Sequence, residues 1–155
     1  MAIPINQVKR APMERVVHAI LERHGLTEAF ARSAEFHLQL DHSPYMPLVI
    51  ERHNNEVAVM HTFIQNGDLM RDPEVTFLLP TWSPTSITQD AVGVYREVYV
   101  IVNGRQMVNQ KLLHELKAFA RMWAQNLRAQ GFITGEPMVA TSLTHADLLT
   151  ARTAT

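Results

Sequence analysis

The sequence contains no cysteine among its 155 residues. This absence excludes disulfide bonds, thiolate catalysis and zinc sites with cysteine ligands, and it is typical of a cytoplasmic protein. Charged residues make up only 19% of the chain and the net charge is −1, so the whole chain lacks the signature of a nucleic-acid-binding protein. No segment approaches the ~18 apolar residues of a membrane span, and the first residues lack the apolar run of a secretory leader.

The hydrophobic fraction is 46%, which predicts a globular chain rather than a disordered one. A length of 155 residues suits one domain with a substantial core. We expect residues 1–135 to form a single α+β domain. We expect residues 136–155 to form a tail that is ordered only in part, with one short helix in THADLLTA.

Helix-forming patterns lie toward both ends of the chain. Residues 12–24 predict a first helix, because Pro12 suits an initial helical position and Gly25 suits a position just beyond the last turn. Thr27 can cap a second helix over residues 28–40. One face of that second helix would hold Phe30, Ala34, His37 and Leu38.

Residues 106–130 predict the longest helix of the chain, followed by a stop signal at Gly131. Apolar side chains recur there at spacings of three and four residues, as in an amphipathic helix with one buried face. They are Val108, Leu112, Leu116, Phe119, Trp123 and Leu127. A basic row lies roughly opposite: Lys111, Lys117, Arg121 and Arg128. The row is either a solvated helix face or a stripe that follows nucleic-acid phosphates.

The centre of the chain alternates with a period of two and is rich in β-branched residues, which predicts strands. The Asn66-Gly67 pair predicts a type I′ hairpin turn, because both turn residues need a positive φ. Residues 81–91, TWSPTSITQDA, have a loop composition. The predicted strands are residues 47–52, 56–65, 74–80 and 92–102. They predict a four-stranded antiparallel meander, on which the long C-terminal helix packs.

The hairpin HTFIQNGDLMRDPEVTF begins at His61 and concentrates polar groups. A two-residue turn pairs Gln65 with Asp68, and the same register, continued along both strands, places His61 opposite Asp72. Pro73 has no N–H for the ladder, so we expect a bulge or an edge position there. His61 is either a half-buried histidine bonded to the backbone or a ligand or proton carrier on a rigid strand.

A metal-dependent hydrolase or nuclease would use an imidazole and several carboxylates as ligands. His61, Asp72, Glu74 and Asp90 are the residues available for that role. Their spacing matches no specific metal motif, and the sequence contains no nucleophile elbow and no phosphate loop. We therefore expect no metal, no other cofactor and no catalytic residue.

Trp82 lies in the segment predicted as a loop. A large aromatic residue in a loop either packs under the edge of a sheet or contacts a partner. Both interpretations stay open at the level of the sequence.

The string QNGDLMRDPEVTF follows a strand that ends in histidine and precedes a Trp-Ser-Pro segment. In this respect residues 45–100 resemble an uncharacterised family, domains of unknown function found in proteins of conjugative plasmids, integrated elements and phages. Thr62 departs from the family pattern, which has an aromatic residue there. The matching residues are His61, Gln65, Asn66, Gly67, Asp68, Asp72, Pro73, Glu74, Trp82, Pro84, Asp90 and Gly93. The resemblance implies a setting, the accessory proteins of mobile elements, rather than a reaction.

The first functional interpretation is therefore a small, soluble, non-enzymatic protein that binds an unknown host or element protein. Its contacts would come from the hairpin and the following segment: His61, Asn66, Gly67, Asp68, Asp72, Glu74, Trp82 and Asp90. Two alternatives are the metal-dependent enzyme described above and a nucleic-acid-binding protein that uses the basic row of the last helix.

Overall fold

The computed structural model describes the backbone of residues 9–143 and the side chains of residues 9–136. Within these residues the chain forms three α-helices, nine strands and two short 3-10 segments. The helices are α1 (Pro12–Arg23), α2 (Thr27–Arg32) and α3 (Gln110–Ala129). The strands are β1 (Glu35–Asp41), β2 (Leu48–His53), β3 (Glu56–Gln65), β4 (Asp68–Leu78), β5 (Ser83–Gln89), β6 (Val94–Glu97), β7 (Tyr99–Val102), β8 (Arg105–Val108) and β9 (Glu136–Leu143). The 3-10 segments are Asp90–Val92 and Phe132–Thr134.

Seven of the strands form one antiparallel sheet in the order β6-β5-β4-β3-β2-β1-β9. Strands β1 to β6 are a meander in which each strand pairs with the next, and β9 returns to pair with β1. The other two strands, β7 and β8, form a separate hairpin. The prediction of an α+β fold with a long C-terminal helix packed on an antiparallel sheet is confirmed. The prediction of four strands is wrong, because the meander has six.

The core lies between one face of the sheet and the helices α1 and α3. One row of paired apolar residues crosses five strands and is at most 7% exposed: Leu38, Ile50, Val59, Val75 and Ile87. Because directly paired residues share a face of the sheet, this row marks the face that the helices cover. The helices contribute Val17, Ile20, Leu116, Trp123 and Leu127 to the same core.

The predicted second helix is wrong beyond Arg32, where α2 ends and β1 soon begins. Phe36, Leu38 and Leu40 in β1 are at most 3% exposed, whereas the residues between them are half-buried. This burial with a period of two is that of a strand. It outweighs the helical pattern because β2 and β9 supply hydrogen-bonding partners on both sides of β1.

The predicted loop over residues 81–91 is also wrong, because most of it is β5, between β4 and β6. Serine, threonine and proline gave this segment the composition of a loop, but threonine is β-branched and suits a strand. The hydroxyl groups bond across the ladder. Thr76 Oγ1 lies 2.6 Å from Thr85 Oγ1 and 2.5 Å from Ser86 Oγ.

The predicted strand over residues 92–102 is divided at Val98, where the chain leaves β6 and enters β7. Val98 is 0% exposed. Its N–H donates to the carbonyl of Thr85 at 2.8 Å, and its own carbonyl accepts from the N–H of Asn109 at 2.7 Å. These two bonds fix the base of the β7–β8 hairpin to the sheet.

The long helix begins at Gln110 rather than at residue 106, because β8 occupies residues 105–108. Asn109 provides the N-cap: its side-chain oxygen accepts a hydrogen bond of 3.0 Å from the N–H of Leu112. Four of the six predicted stripe residues are buried in α3, namely Leu112, Leu116, Trp123 and Leu127.

The segment from Glu136 to Leu143, placed in the expected tail, is β9 and pairs with β1. The helix predicted in THADLLTA lies outside the described residues. Within the described part of the chain, none of the helices is long and apolar enough to cross a membrane.

Candidate functional site

The hairpin between β3 and β4 turns at Asn66 and Gly67, as predicted. Their φ angles of 52° and 83° are both positive, as a type I′ turn requires. Gln65 pairs with Asp68, and the predicted register continues to the pair of Thr62 with Arg71. The turn chemistry therefore determined the first part of the register correctly.

The predicted pairing of His61 with Asp72 is wrong. The register shifts beyond Thr62, so that Met60 pairs with Glu74. Asp72 and Pro73 thus stand opposite the single residue His61, which is the pattern of a β-bulge. Pro73 cannot donate to the ladder, and this is the physical reason for the expected bulge.

The imidazole of His61 lies between the sheet and the end of α3. Its Nδ1 is 3.2 Å from the carbonyl oxygen of Pro47, and the indole N–H of Trp123 donates to its Nε2 at 3.3 Å. The rings of Trp123 and Phe132 both lie 5.6 Å from the imidazole. His61 therefore joins β3 to α3 and to the 3-10 segment that follows it.

These partners determine the protonation of His61. An indole N–H only donates and a carbonyl only accepts, so Nε2 is the acceptor and Nδ1 bears the proton of a neutral imidazole. Burial lowers the pKa of His61, although the backbone hydrogen bond to Pro47 acts in the opposite direction. Both ring nitrogens are engaged in hydrogen bonds within the protein, which is typical of a histidine with a structural role.

We predict that His61 makes the protein sensitive to acid. The unfolded chain takes up the proton near pH 6.5, whereas the buried imidazole takes it up only at a lower pH. The free energy of unfolding therefore falls as the pH decreases from about 6.5 toward the lowered pKa, by at most about 1.4 kcal/mol per pH unit for one proton. Above that range His61 makes no pH-dependent contribution.

Urea unfolding of the wild type and of His61→Gln between pH 5 and 8 measures this contribution. The stability difference between the two proteins is expected to narrow as the pH falls. His18, whose pKa is lowered mainly by burial, and Glu74, whose pKa is raised mainly by burial, titrate in both proteins and cancel in the comparison. A difference that is constant across this range would contradict the role given to His61.

The acidic residues of the site form a cluster around Arg71, which we call the acidic clasp (Arg71, Asp72, Glu74 and Asp90). Asp90 Oδ2 accepts from the backbone N–H of Arg71 at 2.8 Å, and Asp72 Oδ2 accepts from the N–H of Ala91 at 3.2 Å. The guanidinium of Arg71 lies 3.5 Å from Glu74 and 3.6 Å from Asp90. The hydrogen bonds and the Arg71–Asp90 ion pair of the clasp thus connect the bulged part of β4 to the 3-10 segment at Asp90–Val92.

The structure places His61 and Glu74 on opposite faces of the sheet. Glu74 pairs with Met60, so it lies on the face opposite to Val59 and His61. Among the described residues there is no group of three or more histidine, aspartate or glutamate side chains that could hold a metal ion. The carboxylates of Asp72 and Asp90 accept backbone hydrogen bonds, and that of Glu74 faces Arg71.

Trp82 is 4% exposed and packs in the core. Its ring centroid lies 5.6 Å from that of Phe77 and 6.5 Å from that of Phe30. Asn66, Gly67 and Asp68 are exposed at the tip of the hairpin. The interpretation of Trp82 as a packing residue therefore fits the structure. Of the eight proposed contact residues, Asn66, Gly67 and Asp68 are the exposed ones, and His61, Asp72, Glu74 and Asp90 are half-buried.

Three of the four lysine and arginine residues of α3 border two grooves, with volumes of about 890 Å³ and 540 Å³, along the seam between α1 and α3. Lys117 lines the larger groove, Arg128 lines the smaller one, and Arg121 lines both. Lys111 is exposed but lines neither groove. The two cations that sequence reasoning missed are Lys9 and Arg15, whose only signal was a group of basic residues around the start of α1.

The β7–β8 hairpin is a second feature that sequence reasoning missed. Its signal was present, because Asn103-Gly104 lies between two apolar runs and repeats the chemistry of the Asn66-Gly67 turn. Asn103 and Gly104 have φ angles of 52° and 77°. The predicted strand over residues 92–102 stops just before this pair, whereas the pair is the turn of a hairpin.

Comparison with known proteins places the chain in a family. The sequence model of a domain of unknown function, DUF6908, matches residues 15–133, from α1 to the second 3-10 segment. The chain matches no curated protein and no solved structure. The matched range includes the hairpin, the acidic clasp and α3, and it covers well over half of the chain. The chain therefore belongs to the DUF6908 family.

Proposed function

We propose that this protein is a non-enzymatic accessory factor of a mobile element, and that it acts in the cytoplasm by binding another protein. We assign the contact to the β7–β8 hairpin, residues 99–108, which we call the apolar ribbon. The observation that supports this proposal best is the exposure of apolar side chains on both faces of the ribbon.

The exposed side chains of the ribbon are large. Ile101 is 71% exposed, and Val102 and Met107 are each 50% exposed. The register pairs Val100 with Met107 and Tyr99 with Val108, so each face presents aliphatic groups. Contiguous apolar patches of this kind are uncommon on the surface of a monomer and mark sites of interaction with other proteins.

The ribbon also has unpaired strand edges. In the described part of the chain, β7 and β8 pair only with each other, so one edge of each strand keeps free N–H and C=O groups. A two-stranded hairpin gains little stability alone in water and becomes stable when a third strand or an apolar surface covers it. An apolar groove on a partner would cover the exposed side chains of the ribbon. An exposed strand edge on a partner would pair with its free N–H and C=O groups.

The hydrogen bonds of the polar hairpin support a non-enzymatic role. His61 is engaged at both ring nitrogens, and the clasp carboxylates accept backbone hydrogen bonds or face Arg71. A catalytic acid or base needs access to a substrate proton. The polar residues of this region are instead used to hold the bulge and α3 in place.

The mobile-element setting rests on the resemblance of residues 45–100 to proteins of plasmids, integrated elements and phages. Such elements encode many proteins for counter-defence or for their own maintenance. Blocking or imitating the surface of a host protein is a task that a small binding protein performs without chemistry. We propose occlusion or mimicry of this kind as the mode of action.

We predict that the double variant Ile101→Thr/Met107→Thr loses its partner but keeps its fold. Threonine keeps a high strand propensity and removes one apolar side chain from each face of the ribbon. Apolar anchors at the centre of an interface are each worth about 1–2 kcal/mol or more, so we expect binding at least tenfold weaker. Quantitative affinity capture from host lysate, followed by titration of the recovered partner, measures this loss.

The matched control is Ile64→Thr/Leu69→Thr, which changes a cross-strand pair at the other exposed hairpin tip, where the exposed fractions are 67% and 63%. We expect this variant to bind like the wild type. Loss of the partner only in the control would move the contact to the tip beside Asn66 and Gly67. Self-association of the wild type through the ribbon, with no other partner recovered, would overturn the proposal.

A further inference from the structure

A stripe of polar residues that is rich in lysine and arginine runs along the seam between α1 and α3. On α3 it comprises His114, Lys117, Arg121, Gln125 and Arg128, at spacings of three and four residues, and all five are exposed. At 1.5 Å per residue, the stripe is about 21 Å long. All five residues line one or both of the grooves described above, so the stripe follows the seam over its whole length.

The start of α1 and the residues just before it add basic side chains on the other side of the seam. Lys9, which precedes the helix, borders both grooves, and Arg15 of α1 borders the smaller one. Five basic side chains from two parts of the chain therefore lie on one surface: Lys9, Arg15, Lys117, Arg121 and Arg128. Among the described residues that line the grooves there is no aspartate and no glutamate. This composition contrasts with the net charge of −1 for the whole chain.

Within the described residues, no ion pair neutralises these five cations. None of them takes part in an ion pair within residues 9–136. Other arginines are engaged: Arg71 faces Glu74 and Asp90, and Arg96 faces Glu115. Like charges brought together without counterions repel each other, so an anionic ligand would stabilise this surface.

The larger groove has an apolar floor beneath its basic rim. Met122, which is 50% exposed, lies there with Ala118 and Pro84, above the buried ring of Trp82. A groove that combines cations at the rim with an apolar floor suits a ligand with repeated anionic groups and flat apolar bodies. A single strand of nucleic acid has this chemistry, because its phosphates face the cations and its unpaired bases can reach the floor.

We propose that the seam between α1 and α3 binds a single strand of nucleic acid. The length of the stripe fits, since a nucleic-acid strand in B-form geometry carries about six phosphates over 21 Å. A duplex would contact the cations but would leave the apolar floor unused. No groove residue belongs to the apolar ribbon, so this site is independent of the proposed protein contact.

We test the site with the purified full chain and a fluorescently labelled 12-nucleotide oligothymidine between 50 and 300 mM salt. Five phosphate contacts predict a plot of log affinity against log salt with a slope of about −3.5. In the triple variant Lys117→Ala/Arg121→Ala/Arg128→Ala the slope is expected to become shallower by about 2, and binding at about 0.1 M salt to weaken at least tenfold.

The charge-matched control is Arg23→Ala/Arg32→Ala/Lys111→Ala, which removes three exposed cations that line neither groove. We expect this control to bind within about twofold of the wild type. A separate variant, Met122→Ala, is expected to weaken binding several-fold without changing the salt slope, because a base contact releases no counterions. Unchanged thermal unfolding of each variant shows that it is folded.

Four results would overturn the proposal. They are equal weakening by the two triple variants, absence of binding at 50 mM salt, tighter binding of a duplex of the same length, and binding of heparin, an acidic peptide or anionic vesicles without binding of the oligonucleotide. Equal weakening would assign the binding to bulk electrostatics, and preference for a duplex or another polyanion would assign the stripe to another class of ligand.

Discussion

Replacing Trp82 with alanine is expected to lower the free energy of unfolding by about 3–5 kcal/mol, the range for truncating a large aromatic residue in a core. Trp82 is 4% exposed, and its ring packs against Phe77 at 5.6 Å, His18 at 6.2 Å and Phe30 at 6.5 Å between ring centroids. Truncation leaves a cavity between α1, α2 and the sheet, where the indole ring had packed. Chemical denaturation of the wild type and the variant measures the loss.

Tyr95→Ala provides the control for Trp82. Tyr95 is an aromatic residue on the neighbouring strand β6 and is 62% exposed. Its truncation is expected to change the stability by about 0.5 kcal/mol or less. If Trp82→Ala were as mild as this control, Trp82 would not be a core residue and its interpretation as a contact for a partner would return.

The second large effect is expected for His61→Ala, which should lower the free energy of unfolding by about 2–4 kcal/mol. The substitution leaves the N–H of Trp123 and the carbonyl of Pro47 without partners in a half-buried site, and each unpaired group costs about 1–3 kcal/mol unless water reaches it. A cavity next to Phe132 adds to the loss. Equilibrium unfolding at pH 8, where His61 is neutral, isolates this packing contribution.

A double-mutant cycle with Trp123→Phe separates the hydrogen bond from the packing. Phenylalanine removes the indole N–H, so His61→Ala is expected to cost less in that background, with a coupling energy of about 0.5–3 kcal/mol. His53→Ala, at a side chain that is 62% exposed, is the neutral control. Additive losses would show that the 3.3 Å contact between Trp123 and His61 does not stabilise the fold.

The sequence predicted the elements whose signals are local. Asn66-Gly67 specified its hairpin turn and the register as far as Arg71, because turn geometry fixes the pairing of nearby residues. The first helix and most of the long helix were predicted from apolar spacing and from Gly25 and Gly131, which lie next to their last turns. Pro73 signalled a bulge because a missing N–H is a property of the residue itself.

The partners of the candidate site were not predictable in the same way. The contacts of His61 with Pro47 and Trp123 span 14 and 62 residues of the chain. The reciprocal bonds between Asp72, Asp90 and the backbone depend on how the 3-10 segment folds against β4. Sequence spacing placed His61 beside Asp72, but one bulged residue moved every pair beyond it by one position.

The sequence by itself therefore determined the α+β class, the hairpin turn at 66–67 and the helices at both ends. Only the tertiary structure decided that residues 35–41 and 83–89 are strands, because each gains hydrogen-bonding partners on both sides that no local pattern reveals. It also decided that the basic residues of α1 and α3 border one seam. Packing of two helices on a sheet brings together cations that lie more than a hundred residues apart, and this proximity has no signature in the spacing of the sequence.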